Sequence, residues 1–104
     1  MAGALCAVQQ VFPYMKKQKE GAILLTGGGL ALDPASAFLS ISVHKAALRA
    51  LAAALHKDLS GNGIYTGIVN IKGNIGSDDY YSPARIAALF YQMYETQDKI
   101  ELKY

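Results

Sequence analysis

The sequence predicts an α/β fold built on a parallel sheet, and three observations carry that prediction. The run Ala22-Ile23-Leu24-Leu25-Thr26 is apolar on both faces, as in a central strand. Ile64 to Ile71 reads as a second strand and follows an evident turn, Ser60-Gly61-Asn62-Gly63. Between the two lies a long Ala/Leu segment with helical spacing. Strand, helix and strand of these lengths form a right-handed parallel βαβ unit.

The elements follow in order. Ala2 to Gln18 predicts a helix: Leu5, Val8, Val11 or Phe12, and Met15 recur at three- and four-residue spacing, and Lys16-Lys17 suit the negative end of the dipole. Pro13 should kink it or start a fresh turn. Gly21 ends the polar linker and delivers the chain into the first strand. Gly27-Gly28-Gly29 then reads as a tight turn with little room for side chains, and 30–36 as a loop with Asp33-Pro34 as its turn signal.

A second helix fits from about Phe38 to Leu59. Leu48, Leu51, Leu55 and Leu59 share one side, Ala46, Ala50, Ala53 and Ala54 form a small-residue side, and Lys45, Arg49 and His56 fall on a third strip. So little of the circumference is polar that the helix is expected to pack on two sides, against the sheet and against another helix. Lys72 to Tyr81 is a polar loop. Ser82-Pro83 supplies an N-cap and an N1 proline for a third helix through about Gln97. Ile100 to Tyr104 is the place for a short closing strand.

Composition narrows the classes of function. A chain of 104 residues holds one domain, residues 1–104. An apolar fraction of 52% is high for so short a chain, so some of that surface is expected to lie under a partner. The net charge of +2 and the scattered basic residues argue against nucleic acid. A lone cysteine, Cys6, excludes an internal disulfide and a cysteine metal cage, and its apolar neighbours predict a buried small hydrophobe. The N-terminus lacks a basic leader, and Gln9-Gln10 interrupt it too early for a membrane span. A reduced, cytoplasmic protein without membrane or nucleic-acid partners is the expectation.

Five strings carry a resemblance when taken in order. They are Phe12-Pro13-Tyr14-Met15, Gly21 to Thr26, Lys45-Ala46-Ala47-Leu48, Leu59 to Ile64, and Gly73-Asn74-Ile75-Gly76-Ser77. Together they resemble the C-terminal half of a short-chain dehydrogenase/reductase over nearly the whole chain. The resemblance implies a partial Rossmann-like parallel sheet with flanking helices, the C-terminal half of a doubly wound fold.

It also implies a site. In that family a tyrosine four residues before a lysine is the general acid/base, and the lysine lowers its pKa and holds the nicotinamide ribose. A serine thirteen residues before the tyrosine orients the substrate oxygen. Lys45 matches the lysine, whereas the other two positions hold Ile41 and Gly28. A family asparagine in the first helix would fall just before Met1. The motif that holds the nicotinamide amide is matched at Gly73, Ile75 and Ser77, with Lys72 in place of its proline. Two readings of Lys45 stand: a solvated helix lysine, or with Gly73, Ile75 and Ser77 the remnant of a cofactor site.

NAD(P) is the cofactor the resemblance implies, but none is expected for this chain alone. The family's phosphate-binding glycines would have to match Thr26-Gly27-Gly28-Gly29, and the required later glycines are Ala31, Leu32 or Asp33. Ser40 and Ser42 flank Ile41 but splay away from its direction, which leaves His44, one turn on, as the least poor substitute acid. Three functions stay open on sequence. One is a truncated, inactive reductase or part of a longer NAD(P)-dependent oxidoreductase. Another is a non-catalytic module forming a homodimer or higher oligomer through helices 2–18 and 38–59. The third is an unrelated activity of Lys45 and His44, for which no geometry suggests itself.

Overall fold

The computed structural model describes residues 2–29 and 36–104. Helix α1 spans Ala2–Gln18, strand β1 Gly21–Gly28, helix α2 Leu39–Leu59, strand β2 Ile64–Ile71, helix α3 Pro83–Thr96 and strand β3 Glu101–Lys103. The strands form one parallel sheet in the order β1-β2-β3. The predicted βαβ unit and the closing strand are both present. The turn expected at Asp33-Pro34 lies outside the described residues.

Alternation along the strands assigns the two faces. On one face α1 and α2 cover Ile23, Ile64 and Ile68, with Val8, Leu48, Ala52 and Leu59 as the buried contacts from the helices. On the other, Ile86 and Met93 of α3 pack on Val69 and Ile71. Strand β2 is therefore buried on both faces, and Val69 and Ile68 are 0% and 2% exposed. Burying such an aliphatic side chain contributes about 1.5–3 kcal/mol, so this strand anchors the domain. Strand β1 has β2 on one side and no described strand on the other.

The caps follow the chemistry read from the sequence. Ser82 Oγ accepts a hydrogen bond from Arg85 N at 3.3 Å, with Pro83 at N1. Helix α3 ends one residue earlier than expected, because Gln97 takes the left-handed conformation and donates its N–H to Met93 O. Gly63 also has positive φ (74°) and passes so close to Lys19 that a Cβ would stand 2.3 Å from its carbonyl oxygen. Only glycine fits there without a shift.

Three expectations are corrected. Gly27 and Gly28 form no turn: they continue β1 in register with Asn70 and Ile71. Cys6 is exposed rather than buried, because α1 turns Val8 and not Cys6 into the core. Helix α2 begins at Leu39, with Phe38 closing a short 3-10 turn before it. Pro13 lies within a continuous α1, on its exposed side, where the lost backbone hydrogen bond faces solvent.

The small-residue side of α2 lies bare in this chain: Ala46, Ala50, Ala53 and Ala54 are all exposed. Residues 36–62 include an 18-residue window of mean hydropathy 1.4, long and apolar enough by length and composition to cross a bilayer. Leu48, Ala52 and Leu59 of this stretch are buried in the domain core, while only 22% of the apolar window is buried.

Candidate functional site

Parallel strands present their carboxyl ends at one edge of the sheet, and ligands of such folds bind in the crevice beyond them. A cleft opens there, with a volume of about 930 Å³. Its floor is Thr26 to Gly29 at the end of β1 and Ile71 at the end of β2. Phe38, Ile41 and Lys45 form one wall from α2 and the turn before it, and 72–75 form the opposite wall.

The fold thus gathers most of the residues singled out in the sequence. Ile41 and Lys45 are four apart on α2 and therefore face the same way, both into the cleft. Gly28 lies against the lysine: a Cβ built there would stand 3.4 Å from Cγ, Cδ and Cε of Lys45. Gly73 and Ile75 line the other side. Ser77 is not among the lining residues; it sits in an exposed turn and donates its N–H to Asn74 O at 3.1 Å. Ser40, Ser42 and His44 are likewise absent from the lining. Ser42 is buried on the far side of the helix turn, 2% exposed.

The loop 72–81 is held by specific contacts. Lys72 N donates to Tyr104 O, Gly76 N to Tyr81 O, and Tyr104 Oη to Tyr80 O at 2.6 Å. Tyr80 and Tyr104 stack at 4.4 Å between centroids, with Tyr81 edge-on to both. Tyr81 also crowds Gly73, where a Cβ would come within 2.3 Å of its ring. An aromatic lock of this kind fixes the wall of the cleft.

A polar network that the sequence did not disclose lies beside the cleft. Glu101 on β3 accepts Arg49 Nε at 2.7 Å and Arg49 Nη2 at 3.3 Å, and also accepts Asn70 Nδ2 at 2.7 Å. The carboxylate raises the Arg49 guanidinium pKa, by the hydrogen bond first and the charge second. Asn70 is fully buried, and its Oδ1 has no hydrogen-bond partner among the described residues. That oxygen faces Gly27, where a Cβ would stand 2.2 Å away. Here lies the physical reason for one glycine of the string: the strand can pass the amide only without a side chain.

These facts decide how far a dinucleotide fits. Lys45 brings a cationic side chain into the cleft. The glycine string, however, is paired in the sheet through Gly28 and, among the described residues, offers no loop of free amides at a helix N-terminus for a pyrophosphate. Among the described residues no metal-ligating cluster occurs. The described residues of the string form no pyrophosphate cradle.

No family model matches the chain, and no curated protein matches it significantly. Among solved structures it is similar to the bulky-bulky ketone specific alcohol dehydrogenase from Comamonas testosteroni, with a TM-score of 0.82 at 17% identity. The match covers 99% of this chain and 41% of that enzyme. At this identity the likeness is one of fold. The class so defined is a partial Rossmann-like α/β fold, spanning about two fifths of its structural neighbour.

Proposed function

We propose that this chain is a short-chain dehydrogenase/reductase-like domain that performs no carbonyl reduction by itself. One observation carries the reading: Ile41 and Gly28 line the same cleft as Lys45. Reduction of a carbonyl needs a proton for the oxygen as hydride reaches the carbon. An isoleucine and a glycine supply neither that proton nor a hydroxyl to orient the substrate. General acid/base catalysis contributes about 10²–10⁴-fold, and its loss alone would leave little activity.

Cofactor binding falls under the same reading. With no pyrophosphate cradle in the glycine string, NAD(P)H binds this chain weakly or not at all. Titration of NADPH fluorescence against the purified protein tests this, together with a reductase assay on bulky ketones. A micromolar dissociation constant or turnover above background would overturn it.

A second reading has its own support. The structural match covers 41% of the alcohol dehydrogenase, and no described strand pairs the outer edge of β1. A domain of this kind would serve as one part of a longer NAD(P)-dependent oxidoreductase, or as an association module in a cytoplasmic homo-oligomer through α1 and α2. Co-expression with a segment that supplies the adenosine half, followed by NADPH titration, separates these roles.

A further inference from the structure

The cleft has a charge pattern that its lost chemistry does not explain. Lys45, Lys72 and Lys103 all line it, and no described aspartate or glutamate does. They arrive from three elements: Lys45 from α2, Lys72 from the residue after β2, and Lys103 from β3 opposite Asn70. Nearby Arg49 has its own carboxylate in Glu101, whereas none of the three lysines forms an ion pair among the described residues.

The glycines seat two of these cations. Gly28 gives room to the Lys45 stem, and at Gly29 a Cβ would stand 3.2 Å from Lys72 Cα and 3.5 Å from its Cγ. A side chain at residue 28 would rest in ordinary contact with the Lys45 stem, whereas one at residue 29 would press on the Lys72 backbone. Between the charges the walls are apolar and half-open: Phe38 is 57%, Ile41 51% and Ile75 56% exposed. Like charges over low-dielectric walls concentrate anions, and uncovered apolar area rewards a ligand that covers it.

We infer that the cleft binds a small anion carried on an apolar body, a carboxylate or phosphate monoester bearing an alkyl or aryl group. The lysines hold the head, while Phe38, Ile41 and Ile75 cover the body. This rests on the reading that Ile41 is a binding surface rather than a failed acid. The volume of about 930 Å³ admits a ligand of that size.

Calorimetric titration of the whole chain with octyl phosphate, below its micelle concentration, tests the inference. Octanoate, inorganic phosphate and the uncharged octyl glucoside serve as comparisons. The expected result is one site, with octyl phosphate and octanoate bound at least about tenfold more tightly than either inorganic phosphate or octyl glucoside. Lys45→Gln, Lys72→Gln and Lys103→Gln should each weaken octyl phosphate by roughly three- to tenfold and flatten its salt dependence. Equal binding of inorganic phosphate would remove the apolar body, equal binding of octyl glucoside would remove the charge, and either overturns the inference. Binding to phosphatidate vesicles without binding of free octyl phosphate also overturns it, since the source would then be a membrane surface. The ligand series on the wild-type chain stands even if a variant fails to fold. Ketone turnover would overturn the proposed inactivity and leave the titration result intact.

Discussion

The stem of Lys45 lies along Gly28, with three of its carbons 3.4 Å from where a side chain at residue 28 would begin. The distance is ordinary van der Waals contact, so the pair tolerates a small addition. Gly28→Ser combined with Ile41→Tyr should therefore fold and restore the missing hydroxyls around the lysine. We expect no reductase activity from this double variant, because the cofactor defect is independent of the proton defect. Activity above background in an NADPH oxidation assay would show that the proton donor was the sole deficit.

Gly27 is far less forgiving. A methyl group there would overlap Asn70 Oδ1, which the sheet holds fully buried. Gly27→Ala should cost roughly 1–3 kcal/mol, the usual range for overpacking. In an Asn70→Ala background the same change should cost at least about 1 kcal/mol less, because the obstructing amide is gone. Denaturant unfolding of the four-member cycle measures this, and additive costs would place the strain elsewhere.

The Arg49–Glu101–Asn70 network separates a surface pair from a buried need. Glu101→Ala leaves the Asn70 amide without its acceptor and should destabilise by about 1–3 kcal/mol. Arg49→Ala should shift the melting temperature little, since that pair is exposed at 44% and 26% of the two side chains and is screened by solvent. Thermal melts in low and high salt check both, and an equal loss in the two variants would contradict the assignment.

The elements were legible because each depends on local chemistry. Both strands, the Ser82-Pro83 cap and the closing strand follow from apolar runs, capping residues and turn glycines. The register was not legible. Nothing in Thr26-Gly27-Gly28-Gly29 says that Gly27 lies opposite Asn70, and three glycines in a row read as a turn until a partner strand claims two of them. Ile41, Gly28 and Lys45 could be named through the family resemblance. Lys103 and Phe38 became part of the site only when the topology brought their elements to one edge. The Cys6 expectation failed for a related reason: in an apolar helix, composition does not reveal which face meets the sheet.

Assembly gives the last prediction. Ala46, Ala50, Ala53 and Ala54 are exposed along one side of α2, and Leu39 and Val43 nearby are 65% and 61% exposed. Small residues in this pattern allow another helix to approach closely, and parallel sheets with an open edge and a bare face are seldom stable alone. We expect a homodimer or higher oligomer through α1 and α2, with a melting temperature that rises with protein concentration. Each apolar side chain of leucine size covered by the partner adds about 1.5–3 kcal/mol. Ala50→Glu and Ala53→Glu would set carboxylates into that contact at positions outside the core of the single chain. They should shift the protein to monomer and lower its stability. Analytical ultracentrifugation across a concentration series decides the matter. A well-folded wild-type monomer at micromolar concentration would mean that the bare face of α2 is solvated as it stands.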